Sequence, residues 1–176
     1  MSLDTIVEFV NTVDLEADEE LFTDPSILGR WMNRRGLIGK EERITDQRDL
    51  AIALEFREAL RQVLVCHHDQ CEPPRSSLDV LEEAGRQAQL TVAFEADGKS
   101  VLAPRAAGID GGLGRLLADA HAAELSGEWG RLKVCSNDGC RWAFYDESRN
   151  QSRRWCRMEI CGNRAKVKAH RARRSA

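Results

Sequence analysis

The sequence predicts a protein of the α+β class, with a mainly α-helical N-terminal domain (residues 1–130) that contains one small β-hairpin. A short cysteine-rich module (residues 131–176), ending in a basic helix, is expected to follow. Three observations support this prediction. Apolar residues recur at helical spacing in several segments before residue 126, a short alternating stretch precedes an Asp-Gly pair, and four of the six cysteines lie between residues 135 and 161. A chain of 176 residues with 42% hydrophobic residues is large enough to bury a core.

The clearest helical pattern covers residues 46–66. Its apolar stripe consists of Leu50, Ala53, Leu54, Leu60, Val63 and Leu64. We expect Arg57 and Arg61 to lie off this stripe. A second helix is predicted after a pair of prolines, with Ser76 and Asp79 in the relation of a capping box.

The remaining helices of the N-terminal domain are predicted to be shorter. One covers residues 112–126, where leucines and alanines repeat at helical spacing. Two more are expected in the stretches VEFVNTV (residues 7–13) and ILGRWMNRRGLI (residues 27–38), with Trp31 as a core anchor. An acidic loop around residues 16–20 should separate them.

The β-hairpin is predicted in the stretch TVAFEADGKSVLAP, residues 91–104. Val92, Phe94 and Ala96 alternate with residues of the other face, as in a half-buried strand. Asp97-Gly98 is a dipeptide that favours a two-residue hairpin turn. The sequence therefore predicts two short antiparallel strands between the second and third of the longer helices.

Charge divides the chain into two unequal parts. The whole chain has a formal net charge of -3, but residues 1–130 hold 13 basic and 25 acidic residues (-12), and residues 131–176 hold 13 and 4 (+9). This asymmetry predicts an anionic partner for the C-terminal part, with nucleic acid favoured over membrane because no apolar face accompanies the charge. A solvated arginine-rich surface is the alternative interpretation.

The N-terminal sequence predicts a cytoplasmic protein. It lacks the basic start and continuous apolar run of a signal peptide, and no apolar run approaches the roughly 18 residues of a membrane helix. In a reducing compartment, six cysteines argue against a disulfide framework and favour metal or redox chemistry.

Two cysteine pairs indicate a metal site. CSNDGC and CRMEIC have the same four-residue gap, and fifteen residues separate them. Cys135, Cys140, Cys156 and Cys161 therefore predict one tetrahedral Zn²⁺ site, which would hold together a segment too short to be stabilised by an apolar core alone. Four sulfur ligands leave no open coordination position, so the metal should be structural. Buried unliganded thiols and a redox pair are the alternatives.

The run CRWAFYDESRNQSRRWCRMEICGNRAK resembles the CGNR zinc-finger family, through its Cys161-Gly162-Asn163-Arg164 tetrapeptide and the preceding SRRWC. FVNT at residues 9–12, the WMNRRGLI segment and the long helix resemble the ABATE domain, the usual N-terminal partner of that family. The resemblance covers nearly the whole chain. It implies a bacterial, stress-induced transcription regulator with a zinc-ribbon-like DNA-binding module and the four cysteines named above as ligands.

The sequence after Cys161 predicts a basic terminal helix. Gly162 is expected to adopt a positive φ and Asn163 to act as N-cap. The helix RAKVKAHRARR leaves only a thin apolar stripe of Ala165, Val167 and Ala169, so anions should stabilise it more than packing does.

Several basic residues are candidates for nucleic-acid contacts. The predicted set is Arg153, Arg154, Arg164, Lys166, Lys168 and Arg171. Arg141 and Arg157, next to cysteines, are equally suited to support the metal site. Trp142 and Trp155 are expected in the core of the small module, with base stacking as the alternative.

Two further clusters have less support. Cys66, His67, His68 and Cys71 have the residue types of a second metal site, but helix-end histidines and packing cysteines explain them as well. The acidic run Glu16, Asp18, Glu19 and Glu20 is typical of a solvated loop; alternatively it shields the basic tail until a ligand arrives.

Taken together, these features predict a non-enzymatic DNA-binding transcription regulator. Its N-terminal domain would respond to an unidentified small-molecule or protein effector, and a homodimer contacting two half-sites is expected because one small module offers few cations. Three alternatives remain: a protein–protein adaptor, an RNA-binding protein, and an enzyme whose site lies in the N-terminal domain. No known catalytic motif supports the last of these.

Overall fold

The computed structural model of the protein describes residues 3–42 and 46–174 and confirms a mainly helical α+β fold. The helices are α1 (Leu3–Val10), α2 (Pro25–Arg34), α3 (Gln47–Asp69), α4 (Arg75–Gln87), α5 (Gly108–Ser126) and α6 (Asn163–Arg174). The strands are β1 (Val13–Asp14), β2 (Glu19–Glu20), β3 (Thr91–Phe94), β4 (Ser100–Ala103), β5 (Leu132–Val134) and β6 (Ala143–Tyr145). A 3₁₀ turn covers Trp129–Arg131 and a π-helical turn covers Met158–Gly162. Within the described ranges, no helix is both long enough and apolar enough to cross a bilayer.

The 23-residue helix α3 forms the centre of the fold, as its sequence pattern predicts. It begins where the Asp46 carboxylate accepts a hydrogen bond from the Arg48 amide at 2.8 Å. It ends at Gln70, whose left-handed conformation (φ 51°) stops the helix. Helices α1, α2, α4 and α5, together with β5, pack around it.

An aromatic cluster fills the core beside α3. Phe9 lies at its centre, with ring centroids of Phe22, Trp31 and Phe56 at 5.6–6.0 Å. Trp31 is 7% exposed, which confirms its predicted role as a core anchor. Tilted and edge-on rings at these separations add favourable quadrupole interactions to the burial of apolar surface.

The hairpin β3–β4 forms with Asp97-Gly98 in its turn, where Gly98 has φ 84°. The face that carries Val92 and Phe94 is open to solvent, with these side chains 63% and 75% exposed. The predicted acidic loop also contains more structure than expected: Glu19 and Glu20 form β2, which pairs with β1 to make a second hairpin.

Two helix starts differ from the prediction. Helix α4 begins after Pro74 with no side-chain cap, so the predicted Ser76–Asp79 capping box does not form. Asp79 instead pairs with Arg75 at 2.8 Å. Helix α5 begins at Gly108, four residues earlier than predicted. Its glycines permit close packing, since a Cβ at Gly112 would lie only 2.7 Å from the Cε of Met32.

The cysteine-rich module starts where α5 ends, at Gly127 in a left-handed conformation (φ 76°). Strands β5 and β6 then form an antiparallel pair. Leu132, Val134 and Ala143 of these strands are at most 1% exposed and belong to the same hydrophobic core as the helices. The strands of the module are therefore built into the helical body, and this fixes where the cysteines lie.

Candidate metal centre and basic surface

The four predicted ligand cysteines come together at one point. The sulfur atoms of Cys135, Cys140, Cys156 and Cys161 all lie within 4.8 Å of one another. The Sγ atoms of Cys140 and Cys156 are 3.7 Å apart, and those of Cys156 and Cys161 are 3.8 Å apart. A tetrahedron with Zn–S bonds of about 2.3 Å has S–S edges of about 3.8 Å. The cluster therefore fits one structural Zn²⁺, as predicted.

The first cysteine pair is shaped by a tight turn after β5. Cys135 is fully buried and leads into Asn137, whose carbonyl accepts the Cys140 amide at 2.8 Å. The Asn137 side-chain amide points its Nδ2 at the Cys161 sulfur, 3.8 Å away. Arg141 follows in a left-handed conformation (φ 48°), which turns the chain away from the site. A tight turn thus forms between the two thiols of CSNDGC, and its Asn137 also contacts the other pair.

The second pair is closed by the π-helical turn, in which the Cys161 amide donates to the Arg157 carbonyl at 3.0 Å. The positive φ predicted for Gly162 is wrong. A Cβ at Gly162 would overlap the sulfur of Met158 and lie 3.2 Å from Cδ1 of Trp155, so a side chain at this position would have to displace Met158. Asn163 is not an N-cap, because the π-helical turn runs directly into α6 and Asn163 has helical angles.

Burial disfavours the ionised form of two of the four thiols unless a cation is bound. Burial raises the pKa of Cys140 to about 11 and also raises the pKa of Cys156. Burial opposes ionisation of Cys161 as well, but hydrogen bonds from Asn137 and the neighbouring thiols lower its pKa overall. A divalent cation stabilises all four thiolates at neutral pH, leaving a net charge of -2. The donor set therefore matches Zn²⁺ in both geometry and charge.

A buried ion pair stabilises the segment between the two cysteine pairs. The sequence analysis did not predict it. Asp146 is fully buried and accepts Lys133 Nζ at 2.9 Å, the Ser148 hydroxyl at 2.6 Å and the Arg153 amide at 3.0 Å. Burial alone would raise the Asp146 pKa, but these donors lower it to about 2. The only sequence cue is the Asp146-Glu-Ser148 triplet, typical of an Asx-type turn.

Two arginines of α3 are buried, and one of them connects the module to the helical body. Arg57 and Arg61 are 4% and 3% exposed, so their predicted position off the buried stripe is wrong. Arg57 binds both carboxylate oxygens of Glu20, at 2.8 and 2.7 Å. Arg61 donates to the carbonyls of Val10 at 2.6 Å and Arg141 at 2.8 Å. Arg61 therefore links α1 and α3 directly to the residue that follows Cys140.

Asn11 of the FVNT stretch makes a second connection. Its side-chain amide donates to the Ala143 carbonyl at 2.9 Å and accepts from the Ala143 amide at 2.7 Å, as a neighbouring strand would. Thr12, the next residue, donates to the Phe9 carbonyl and accepts Arg57. The FVNT stretch thus holds β6 and one of the buried arginines in place.

Among the predicted nucleic-acid residues, Arg153 and Arg154 already have partners in the protein. Arg153 donates to the carbonyls of Trp155 and Cys156, and its guanidinium carbon lies 4.8 Å from the Phe144 ring centroid. Arg154 lies 3.6 Å from the Asp69 carboxylate. Arg153 is thus part of the support of the second cysteine pair.

Arg164 also has a partner, at the start of α6: it pairs with Glu16 of the β1–β2 turn at 2.6 Å. This pair lies beside a groove of about 480 Å³ that runs between the turn and the metal centre. Trp142, 37% exposed, lines the groove together with Arg157, so the prediction of a core position for Trp142 is wrong. Trp155 is half-buried against the cysteine cluster, as expected.

Helix α6 presents the other predicted cations on a surface with almost no packing. The helix has no buried residue, and Val167 of its thin apolar stripe is 50% exposed. Lys166, Lys168 and Arg171 are all exposed. Within residues 3–42 and 46–174, Lys166 and Lys168 form no ion pair.

The second candidate metal cluster does not form. Cys66 and Cys71 are joined by a disulfide, so neither sulfur is a free thiolate ligand, and the expectation of no disulfide is wrong for this pair. The Nδ1–H of His67 donates to the Leu132 carbonyl at 2.6 Å, and burial lowers the His67 pKa. The side chain of His68 lies outside the described part of the chain.

Comparison with known proteins agrees with this architecture. Residues 131–174 match the CGNR zinc-finger family model. Residues 3–128 match the ABATE family model, described as "Putative stress-induced transcription regulator". No curated protein gives a significant match to the chain. These two matches confirm the resemblance read from the sequence.

Proposed function

Because the chain belongs to the ABATE family and ends in a CGNR zinc finger, we propose that it is a DNA-binding transcription regulator without enzymatic activity. The observation that carries this proposal is the exposure of α6. The helix is basic, has no buried residue and extends from a four-sulfur site that fits zinc. Such a helix lacks apolar packing, so phosphate groups are the partners that would stabilise it.

The metal has a structural role in this proposal. When bound, Zn²⁺ neutralises half of the thiolate charge and cross-links the two cysteine pairs. Cys161 lies in the π-helical turn, and this turn continues directly into α6. The metal centre therefore fixes where the helix starts. The chain's own contacts, through Arg61 and Asn11, fix the other side of the module on the helical body.

The groove beside Trp142 is the proposed second contact. Trp142 offers an exposed aromatic face for a base, and Arg157 and Arg164 lie where phosphates could be bound. Glu16 occupies Arg164 in the absence of ligand. Since both side chains of this pair are largely exposed, an incoming phosphate replaces Glu16 at little cost.

The N-terminal domain is the proposed sensor of an effector. A cavity of about 700 Å³ lies between α3, α4 and the start of α5. The apolar part of its wall consists of Ile52, Phe56 and Ile109. Two carboxylates, those of Asp49 and Asp110, also line it. A pocket of this volume with mixed lining is of a size that binds small molecules. Homodimer formation and cytoplasmic localisation remain predictions from the sequence.

Selection of bound sequences from random DNA at two salt concentrations tests the proposal. We expect enrichment of a motif and an affinity that falls steeply with salt, by about one power of the salt concentration per phosphate contacted. The double variant Lys166→Gln/Lys168→Gln should weaken binding and reduce the salt slope by about two. The matched control, Lys99→Gln/Arg105→Gln, removes two exposed cations from the helical domain and should leave the slope unchanged.

The adaptor alternative makes the opposite prediction. Both double variants would then leave DNA affinity unchanged, and only the α6 variant would lose an acidic protein partner. Arg153 is unsuited to this comparison, because its contacts with the Trp155 and Cys156 carbonyls give it a structural role. Competition with RNA of matched sequence distinguishes the RNA-binding alternative. Absence of both enrichment and salt dependence would refute the regulator proposal.

A further inference from the structure

The disulfide between Cys66 and Cys71 lies outside the metal centre, at the C-terminal end of α3. We propose that this pair is a reversible thiol–disulfide site, oxidised by peroxides and reduced by thiols of the glutathione class. Its redox state would control how firmly the end of α3 holds the first strand of the zinc module. The inference concerns the helical body and does not depend on DNA binding.

Accessibility supports reaction at one of the two sulfurs. Cys71 is exposed on the segment that follows the helix, whereas Cys66 is 8% exposed and faces the core. A thiolate from solvent can therefore approach Cys71 while Cys66 is shielded. Exposed disulfides are the ones that exchange readily, and buried ones resist reduction.

The short ring explains why the bond can open without unfolding the protein. Only four residues separate the cysteines, and a ring this small restricts the unfolded chain less than a long loop does. The helix also has its own stop signal, because Gln70 adopts the left-handed conformation and its amide bonds the Cys66 carbonyl at 3.0 Å. The 23-residue helix is packed along its length against the core and does not depend on the disulfide for its existence.

The chemistry balances with reagents of these two classes. In oxidation, one cysteine thiolate attacks a peroxide oxygen and forms a sulfenic acid, with release of water or an alcohol. The second thiol then displaces the hydroxyl group, which leaves as water, and the S–S bond forms. In reduction, a thiolate attacks the Cys71 sulfur, the Cys66 thiolate leaves and takes up a proton, and a second thiol resolves the mixed disulfide.

The bond lies within one turn of three contacts to the zinc module. His67, next to Cys66, donates to the carbonyl of Leu132, the first residue of β5. The His67 ring also packs edge-on against Trp129, with ring centroids 5.3 Å apart. Asp69 pairs with Arg154, just before the second cysteine pair. Opening the bond removes the covalent restraint on residues 66–71 and so loosens the turn that makes these contacts.

The zinc-site thiols do not share this reactivity. Cys135 and Cys161 are at most 2% exposed, and all four sulfurs of that cluster are committed to one ion. A thiol reductant attacks a disulfide sulfur, and the four cysteines of the zinc site contain no S–S bond. A mild thiol reductant should therefore open the Cys66–Cys71 pair before it releases zinc.

The test uses zinc-loaded full-length protein, equilibrated with glutathione buffers of increasing reducing strength and then alkylated. Mass spectrometry should show Cys66 and Cys71 labelled together in the reducing buffers, with zinc retained, and the bond should re-form on adding one equivalent of hydrogen peroxide. Hydrogen exchange of residues 129–134 should become at least about threefold faster on reduction. Cys71→Ser, at the exposed position, should show the faster exchange in every buffer.

Two results would overturn the inference. In the first, the pair becomes labelled only under conditions that also unfold the protein or release zinc, which would make the disulfide purely structural. In the second, the pair opens and closes reversibly, but exchange of residues 129–134 is the same in both states and in Cys71→Ser. The remaining amides of α3 serve as internal controls, since they should not respond.

Discussion

The two ends of the zinc module are stabilised by opposite means. Strands β5 and β6 are buried in the hydrophobic core, and hydrogen bonds from Asn11 and Arg61 attach the first cysteine pair to the helical body. Helix α6 has no buried residue and starts directly at the second pair. The body contacts the second end through the exposed ion pairs of Arg154 with Asp69 and of Arg164 with Glu16, so the metal is the main support of that end.

Loss of the metal should have the largest effect, and it should affect the two ends of the zinc module differently. Cys156→Ser removes one of four ligands, so zinc content should fall from one per chain to near zero, with a loss of about 5 kcal/mol or more of binding free energy. Metal analysis together with hydrogen exchange checks this. Exchange should increase in residues 153–174 and remain slow in α3 and β5. Uniform unfolding of the whole chain would show that the two ends are not independent.

Removal of the buried ion pair between Lys133 and Asp146 should have the second-largest effect. Asp146→Ala removes the carboxylate that pairs with the buried Lys133 Nζ, and we expect a loss of about 3 kcal/mol in the free energy of unfolding. Urea denaturation of the zinc-loaded protein measures it. The control Asp138→Ala removes an exposed carboxylate from the first cysteine pair and should change stability by less than about 0.5 kcal/mol. Equal effects for both variants would contradict the assigned role.

Protonation of His67 should weaken the attachment of the strands by a smaller amount. Burial lowers the His67 pKa in the folded state. The contribution of His67 to the free energy of unfolding is therefore complete above the unfolded pKa of about 6.5 and declines as the pH falls toward the folded pKa. Thermal unfolding between pH 7.5 and 5.5 should show this decline. It should shrink in His67→Gln and persist in His121→Gln, which alters an exposed histidine of α5. An unchanged decline in His67→Gln would assign it to another group.

The smallest expected effect concerns the carboxylate that pairs with α6. Glu16→Gln removes the charge 2.6 Å from Arg164 and should tighten DNA binding by about two- to fivefold. Fluorescence anisotropy at low salt checks this, with Glu19→Gln on the same hairpin as the control. If both variants tighten binding equally, net charge alone is responsible and Glu16 does not compete with phosphate at Arg164.

The parts of the fold that the sequence predicted depend on local patterns. Helical spacing located α3, the Asp97-Gly98 pair located a hairpin turn, and two equal cysteine gaps located the metal centre. The parts that it missed depend on distant partners. Nothing near Arg61 in the chain reveals that it will bind a carbonyl eighty residues away, and a buried lysine at Lys133 is understandable only with Asp146 beside it.

At Gly162 the sequence identified an important residue of the motif but not the structural reason for it. Its conformational freedom suggested a positive φ, whereas in the structure its small size matters, because a side chain would have to displace Met158. The disulfide was missed for a different reason: the expectation rested on the redox state of a compartment and not on the geometry of a helix end. Short-range spacing predicts which residues meet in a turn, but burial depends on the whole fold.

X-ray absorption at the zinc edge of the purified protein tests the central claim most directly. We expect about one zinc per chain with four sulfur neighbours at about 2.3 Å, as the mutual distances of the four cysteines require. Nitrogen or oxygen neighbours at about 2.0 Å, or protein without bound metal under reducing conditions, would contradict it. In that case the order of α6 would need another source.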